Sequence, residues 1–311
     1  MAGERRGGGL EVPPGTGAPT GIGTAQRWHR YDDARTAVIR EVLRAVVTGL
    51  VADTGRSRLD IVDAGGGTGG SAVPLAGQGH TVTVIDPSPD SLAAAQRRAA
   101  EMNVQLRAVQ GDVGDLAAVI GEQGADLVLC HSVLEYVDSP AAAMTTVASV
   151  LRPGGAVSVL ATSAVAAVIH RALAGRFDEA RRLLGAVGGP AGGGQAVGGQ
   201  AGGGQAGRGQ AGRGQVGGGP AGGPGRRPGS GADGGAGPRR FTLAEVTGLI
   251  EGAGLRPGAA HGIRVFTDLV PGSFADVDPG AADALLALEQ AASTHPAFHD
   301  FAAQFHVLGY R

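Results

Sequence analysis

A glycine-rich segment follows a short apolar run at residues 59–64 and is the strongest chemical signal in the sequence. Glycine lets a backbone turn sharply and approach a ligand closely, and the N-terminus of a following helix attracts polar or anionic groups. The apolar run predicts a buried strand, and open α/β sheets bind ligands at the carboxyl ends of their strands. The segment therefore indicates a site for an adenosine-type ligand. Its glycines are Gly65, Gly66, Gly67, Gly69 and Gly70.

The spacing of these glycines does not select the ligand. Gly65, Gly67 and Gly70 fit the G-x-G-x-x-G pattern of dinucleotide sites, whereas Gly65, Gly67 and Gly69 fit the G-x-G-x-G pattern of methyltransferases. Asp63 lies two residues before the segment, where a carboxylate suits an ammonium group and would repel a pyrophosphate. Asp63 therefore favours S-adenosylmethionine, although a structural acid that binds backbone amides would look the same.

Two further acids follow predicted strands. Asp86 ends the second one, at residues 81–85, where a carboxylate can accept both ribose hydroxyls. Asp112 follows the third, at residues 104–109; it can accept from an adenine amino group while the backbone N–H of Val113 reaches a ring nitrogen. The alternatives are a helix cap for Asp86 and a turn-forming role for Asp112.

Candidate acceptor-side residues come after the fourth predicted strand, residues 125–130. His131 stands at its end, as a site residue or as a structural histidine. It is the first candidate for a general base, which a phenol, alcohol or amine acceptor would often need and a carboxylate would not. Glu135 and Tyr136 follow and either line an acceptor pocket or pack a helix.

The C-terminal part offers one more candidate. Arg264 lies in a predicted strand at residues 259–266, where alternation places it opposite its apolar neighbours. It is interpreted either as an anchor for a substrate carboxylate or phosphate, or as the partner of Asp268 in a salt bridge. His306 is interpreted as a strand histidine in a polar contact, and His261 shows no metal-ligand spacing.

Strands alternating with helices predict an α/β fold, a doubly wound, mostly parallel sheet. The predicted domain boundaries give residues 1–24 as a disordered tail, 25–187 as the core, 188–240 as a disordered Gly-rich insert and 241–311 as a segment completing the same sheet. The insert is interpreted as a tolerated repeat expansion or as an Arg/Gly arm touching RNA or an acidic partner.

Composition narrows the function classes. Every basic residue is arginine, and the formal net charge is −2. A mildly acidic chain gives no indication of nucleic-acid binding. The single cysteine, Cys130, excludes an internal disulfide and a cysteine metal cluster. No stretch has the pattern of a secretory signal or a membrane span, which predicts a cytoplasmic protein. We expect it to bind neither a membrane nor a metal ion.

Together with the turn at residues 151–155, the glycine segment and its acids resemble the class I S-adenosylmethionine-dependent methyltransferases over residues 35–155. This resemblance implies a Rossmann-like, seven-stranded sheet with one antiparallel strand. Residues 130–137, 262–268 and 305–307 are more closely similar to the bacterial tRNA 5-carboxymethoxyuridine methyltransferase family, which esterifies the carboxylate of a modified wobble uridine. That similarity implies cofactor contacts from Arg35, Gly65, Gly66, Asp86, Asp112, Val113 and His131.

The expected function is therefore methyl transfer from S-adenosyl-L-methionine to an oxygen, with tRNA or a small molecule as the acceptor. A small-molecule O- or N-methyltransferase is the alternative. An NAD(P)-dependent oxidoreductase and a catalytically silent scaffold are more remote. Gly67 and Asp63 join the expected cofactor residues, and Tyr136 and Arg264 are the expected acceptor residues.

Overall fold

The computed structural model describes residues 22–188, 238–270 and 280–311, with side chains of the first helix described from Thr36 onward. Seven strands and ten α-helices occur in these ranges. The strands are β1 (Asp60–Ala64), β2 (Thr81–Asp86), β3 (Arg107–Gln110), β4 (Ala125–His131), β5 (Leu151–Thr162), β6 (Arg256–Ile263) and β7 (Gln304–Tyr310). The helices are α1 (Ile22–Thr54), α2 (Ala72–Gly77), α3 (Pro89–Glu101), α4 (Leu116–Ile120), α5 (Pro140–Val150), α6 (Ala164–Leu173), α7 (Phe177–Leu184), α8 (Leu243–Gly252), α9 (Ala281–Ser293) and α10 (Pro296–His299).

All seven strands form one sheet in the order β3-β2-β1-β4-β5-β7-β6. Strands β1 to β5 are parallel, and β7 runs antiparallel to both β5 and β6. The expected fold class, a seven-stranded Rossmann-like sheet with one antiparallel strand, is confirmed. The strand order reverses between β1 and β4, so a crevice is expected at the carboxyl ends of these two strands.

The sheet is covered on both faces, which explains why its central strands read as continuous apolar runs. On β4, Val128 and Cys130 face a core that includes residues of α5 and α8. Leu127 and Leu129 face the opposite core, which includes residues of α1, α2 and α3. Several polar side chains of β5, β6 and β7 also lie on this second face.

Several predicted boundaries were wrong. Strand β6 ends at Ile263, three residues earlier than the predicted range of 259–266. Arg264 has φ +61°, in the left-handed region, so the alternation argument for its side chain does not apply. Strand β3 begins at Arg107 rather than at residue 104.

Two helices, α6 and α7, follow β5 where no element was predicted, and α1 begins at Ile22, inside the predicted tail. Helix α6 is capped by Ser163, whose hydroxyl accepts from the Ala166 N–H at 3.0 Å. The predicted disorder at residues 1–21 and 189–237 lies outside the described residues.

Candidate active site

The glycine segment forms an open loop between β1 and α2. Its Gly65 N–H donates to the Ile85 carbonyl at 2.7 Å, which ties the loop to β2. Gly65, Gly67 and Gly69 have φ values of +68°, +53° and +75°, a region that favours glycine. A Cβ on Gly65 would approach Val133 Cγ2 to 2.5 Å. The loop thus lies directly against the segment that follows β4, at the crevice expected from the topology.

Asp86 holds this loop in place. Its Oδ2 accepts from the Gly67 N–H at 2.8 Å, and its Oδ1 accepts from the Ser88 N–H at 2.9 Å. The cap of α3 is Ser88 rather than Asp86, because the Ser88 hydroxyl accepts from the Ser91 N–H. A carboxylate has about four acceptor positions, so each oxygen of Asp86 has capacity for a ribose hydroxyl.

Asp63 lies beneath the loop and is only 3% exposed. A Cβ on Gly66 would come within 2.6 Å of Asp63 Cγ, so this carboxyl group requires glycine above it. Burial, and then the neighbouring negative charge of Asp86, raise the pKa of Asp63 to about 7, although a hydrogen bond from the Ala72 backbone opposes the shift. A buried acid pair of this kind favours a cationic ligand group, because a positive charge would offset both effects.

Asp112 and Val113 lie after β3, at the same carboxyl edge of the sheet. Asp112 Oδ1 accepts from the Gly114 N–H at 2.7 Å, while its own N–H donates to Asp115 Oδ2 at 2.9 Å. These bonds form a capping box on a short 3-10 helix, so the turn-forming role is present. Val113 is buried. Asp112 Oδ2 makes no hydrogen bond within the described ranges and is available for an adenine amino group.

His131 ends β4 next to the loop, since Cys130 pairs with Ala64 of β1. Its Nε2 lies 2.7 Å from the Ser158 hydroxyl, and its ring is partly exposed. Desolvation lowers the pKa of His131 to about 4, so the imidazole is neutral at pH 7. His131 therefore stands at the cofactor edge as a neutral imidazole whose other nitrogen, Nδ1, has no hydrogen-bond partner among the residues described.

Three further residues were predicted, namely Tyr136, Arg264 and Arg35. Tyr136 is 69% exposed. Arg264 pairs with Asp268, its Nε lying 3.2 Å from Oδ1, which is the salt-bridge alternative for this residue. Arg35 belongs to helix α1, but its side chain lies outside the described residues.

Arg264 instead lines a cavity of about 190 Å³ beside the carboxyl end of β5. Two arginines that the sequence reasoning missed also line it, Arg171 on α6 and Arg240 just before α8. Arg171 pairs with Glu179, whereas Arg240 has no ion-pair partner in the described part of the chain. Asp268 lines the cavity as well, so Arg240 is the side chain that suits it to an anionic group. Arg171 was missed because α6 was not predicted, and Arg240 because it adjoins the Gly-rich tract.

Glu135 was expected either to line a pocket or to pack a helix, and it connects two strand ends. Its Oε1 accepts from the Thr162 N–H at 2.8 Å, and the side chain is only 6% exposed. This bond holds the segment after β4 against the end of β5, where Thr162 lines the arginine cavity. The glycine loop and the arginine cavity are thereby held at the same edge of the sheet.

Comparison with known proteins finds similarity over the part of the chain that forms this edge. Residues 61–155 match the family model described as a methyltransferase domain. The matched range runs from β1 to the start of β5 and includes the glycine loop, Asp86, Asp112 and His131. The resemblance expected from the sequence is thereby confirmed.

Individual relatives add detail. The chain is 35% identical over 131 residues to the tRNA 5-carboxymethoxyuridine methyltransferase of Escherichia coli, covering 42% of this chain and 50% of the relative. It is 32% identical over 99 residues to a ubiquinone biosynthesis O-methyltransferase of Rickettsia akari, covering 32% of this chain and 38% of that protein. The chain thus spans half or less of these relatives' length. A solved structure, magnesium protoporphyrin IX methyltransferase from Synechocystis with bound SAH, aligns with a TM-score of 0.49 at 15% identity, over 93% of this chain and 95% of that one.

Two further observations concern the described residues alone. No group of three or more His, Cys, Asp or Glu side chains in the described ranges could hold a metal ion. None of the helices described is both long enough and apolar enough to cross a bilayer.

Proposed function

We propose that this chain is an S-adenosylmethionine-dependent O-methyltransferase that acts on an anionic acceptor. The observation that carries the proposal is the glycine loop clamped by Asp86 and underlain by the buried Asp63, within a matched methyltransferase domain. When bound, the cofactor supplies an activated methyl group. The protein's tasks are then to bind it, to align the acceptor and to exclude water.

The residues present suit the parts of this cofactor. Asp86 retains acceptor capacity for the ribose hydroxyls, and the carboxyl of Asp63 suits the ammonium group of the methionine portion. Asp112 and the Val113 N–H would bind the adenine. A pyrophosphate, which a nicotinamide cofactor carries, would meet the two buried acids Asp63 and Asp86 and be repelled. This charge pattern favours S-adenosylmethionine over NAD(P).

Calorimetry with S-adenosylhomocysteine tests the cofactor. We expect Asp86→Asn to weaken binding by about 30-fold, because the amide is a poorer acceptor for both the loop and the ribose. Asp90→Asn, at an exposed position four residues further along on α3, is the matched control and is expected to bind normally. Tighter binding of NAD than of S-adenosylhomocysteine would overturn the proposal in favour of an oxidoreductase. Normal binding without turnover on any acceptor would indicate a silent scaffold.

The acceptor proposal depends on the arginine cavity, which lies at the same edge of the sheet as this loop. Arg240 has no ion-pair partner among the described residues and presents a forked donor that matches a carboxylate or phosphate, while Arg171 and Arg264 lie beside it in ion pairs with Glu179 and Asp268. The first candidate is the carboxylate of 5-carboxymethoxyuridine in tRNA, the acceptor named for the Escherichia coli relative. A carboxylate is already a nucleophile and needs no general base.

A second candidate is a hydroxyl group on an anionic small molecule. It is favoured by the hydrogen bond between His131 and Ser158, which holds a neutral imidazole at the cofactor edge, and by the O-methyltransferase relative of ubiquinone biosynthesis. In this case the anionic group would bind the arginines while a separate hydroxyl accepts the methyl group.

Mass spectrometry of tRNA nucleosides from a strain lacking the gene separates the two candidates. Loss of the methyl ester at the wobble uridine, restored by the wild-type gene but not by Arg240→Ala, would support the tRNA acceptor. An unchanged nucleoside profile would exclude it and leave the hydroxyl acceptor. Arg182→Ala, on the neighbouring helix α7 and outside the cavity lining, is the matched control and is expected to restore the ester.

A further inference from the structure

Four polar side chains form a hydrogen-bonded row across the sheet, on the face covered by α1. His131 Nε2 lies 2.7 Å from Ser158 Oγ, which lies 2.7 Å from His306 Nε2. His306 Nδ1 in turn lies 3.3 Å from His261 Nδ1. The row crosses from β4 through β5 and β7 to β6, and Ser158 and His306 are fully buried within it. We call these four residues the histidine row.

Strand register explains how residues so distant in sequence meet. Leu160 of β5 pairs with His131 on one side and with His306 on the other. Ser158 is two residues before Leu160, so it shares their face and lies diagonal to both histidines. His306 pairs directly with His261 of β6. The row is therefore fixed by the sheet itself rather than by mobile loops.

The two ends of the row reach different surroundings. His131 stands beside the glycine loop. His261 lines a cavity of about 530 Å³ between α1, α9 and the sheet. The carboxylates of Glu41 and Asp53 on α1 line the same cavity. The cavity extends to Gly154, in the turn region at the start of β5 and thus at the opposite edge of the sheet from the glycine loop.

Hydrogen-bond valence couples the tautomers along the row. A serine hydroxyl has one hydrogen, and Ser158 Oγ has no partner but the two imidazoles in the described ranges, so it donates to one ring and accepts from the other. The contact between two Nδ1 atoms likewise needs one donor and one acceptor. If Nε2 of His131 carries the hydrogen, His306 carries its hydrogen on Nδ1 and His261 on Nε2. If Nδ1 of His131 carries it, both other rings switch.

We propose that the histidine row is a proton relay that deprotonates a hydroxyl acceptor at His131 and releases the proton from His261 into the cavity beneath α1. This inference rests on the proposed O-methyl transfer and selects its hydroxyl acceptor over the carboxylate. His131 is the catalytic residue of the relay. Ser158, His306 and His261 act through it and are positioning residues.

The transfer balances in atoms and charge. The acceptor O–H bond breaks as its oxygen bonds to the methyl carbon, and the electron pair of the broken carbon–sulfur bond stays on sulfur. The acceptor proton goes to Nδ1 of His131 while Nε2 gives its proton to Ser158. Ser158 passes its own proton to Nε2 of His306, and Nδ1 of His306 passes one to Nδ1 of His261. Nε2 of His261 then releases the proton, so the three rings end neutral with switched tautomers.

Buried surroundings favour such a concerted shift over a stored imidazolium. Desolvation lowers the pKa of His131 and of His306, and His306 is further disfavoured as a cation by His131 and His261 on either side of it. His261 is less buried, and its pKa is lowered by desolvation and by His299 of α10. His299 Nε2 contacts the Ser293 carbonyl at 3.2 Å and stays outside the row. His261 is thus the ring that exchanges protons with the cavity.

Long-range ¹H–¹⁵N spectra of the imidazoles test the relay without an acceptor, using the full chain saturated with S-adenosylhomocysteine. At pH 8 we expect His131 to carry its hydrogen on Nε2, leaving Nδ1 free to accept. As the pH falls below 6.5 and His261 becomes protonated, His261 must donate through Nδ1, so His131 is expected to switch its hydrogen to Nδ1 while still neutral. A hydrogen on Nδ1 of His131 throughout this range would overturn the relay.

Variants of Ser158 separate transmission from simple packing. In Ser158→Ala the titration of His261 should no longer reach His131, and Ser158→Thr should restore the response because it restores the hydroxyl. His170 on α6 lies outside the row and serves as an internal control with the same signals in all variants. A switch at His131 that persists in Ser158→Ala would also overturn the relay.

Methyl transfer to 3,4-dihydroxybenzoate tests the acceptor class, because this probe offers both hydroxyls and a carboxylate. The relay predicts a methyl ether, formed about 30-fold more slowly by Ser158→Ala with unchanged affinity for S-adenosylhomocysteine, and recovery in Ser158→Thr. A methyl ester as the sole product would overturn the hydroxyl assignment. Absence of any product, with the tautomer switch intact in the spectra, would count against the proposed function and not against the relay.

Discussion

The two edges of the sheet differ in whether their buried acidic side chains have basic partners. At the amino edge, Asp126 is 2% exposed; it accepts a hydrogen bond from Arg56 at 3.0 Å and forms an ion pair with Arg152 at 2.9 Å. Both arginines also bind Asp60, whose backbone N–H donates to Asp126 at 2.7 Å. At the carboxyl edge, Asp63 is as deeply buried, yet no basic side chain of the described residues pairs with it. The acids of the amino edge are matched by arginines, whereas Asp63 at the carboxyl edge has no internal cation beside it in the described part of the chain.

This difference separates stability from function along the same strands. Asp60 and Asp63 belong to one five-residue strand, β1, and Asp126 to its neighbour β4. Acids at the amino edge serve the fold, because their partners are already present. An acid left without an internal cation at the ligand-binding edge is costly in the free protein and is compensated when a cationic ligand arrives. Substitutions at the two edges should therefore affect different measurements.

The largest effect is expected from Asp126→Ala. Removing this carboxylate leaves two arginine side chains without their shared buried partner and the Asp60 N–H without its acceptor. We expect the free energy of unfolding to fall by about 3 kcal/mol, as measured by urea denaturation. Affinity for S-adenosylhomocysteine of the folded protein should stay within about twofold of wild type.

Asp63→Asn is the matched change at the other edge. It removes a buried charge and should leave the free energy of unfolding at pH 8 unchanged or higher, while weakening S-adenosylhomocysteine binding. If Asp63→Asn destabilised the fold as much as Asp126→Ala, the contrast between the edges would be wrong.

The next largest effect is expected at the glycine loop. Gly65→Ala combines a left-handed φ with a Cβ that meets Val133 at 2.5 Å, so the loop must move. We expect about 30-fold weaker binding of S-adenosylhomocysteine by calorimetry. Gly79→Ala, with φ +92° and no atom within 4 Å of the added Cβ, is the control for backbone strain alone. It should cost about 1 kcal/mol of stability with normal binding, and equal binding losses in both variants would refute a specific role for the loop.

Much of this organisation followed from the sequence, and the parts that did not follow have two physical causes. The strand ends at Ala64, Asp86 and His131 were predictable because buried parallel strands are continuous apolar runs that end at polar residues or glycine. The histidine row could not be predicted, because Ser158 and His306 are 148 residues apart in sequence and meet only through the register of the strands. Arg264 was misplaced for a local reason, since its positive φ ends the strand before the side-chain pattern does.

The smallest effect tests how the carboxyl edge responds to pH. The pKa of Asp63 in the folded protein is about 7, above the usual value of 3.8. Between about pH 4 and pH 7 the folded protein therefore keeps a proton on Asp63 that the unfolded chain has lost. Asp63 therefore destabilises the fold progressively as pH rises from about 4 to 7. A cationic ligand group binds best to the ionised carboxylate, so affinity should change in the opposite direction.

We expect the affinity for S-adenosylmethionine to rise about tenfold between pH 6 and pH 8, with one proton released per ligand bound near pH 6. Calorimetry in buffers of different ionisation enthalpy measures both quantities. Asp63→Asn should flatten the profile and abolish the proton release. Asp60→Asn leaves Asp63 intact, so the pH dependence of the affinity and the proton release should both remain. If the affinity of the wild type did not change between pH 6 and pH 8, Asp63 would already be ionised before the ligand binds. The buried acids of the two edges would then carry the same charge, and the contrast between the edges would be wrong.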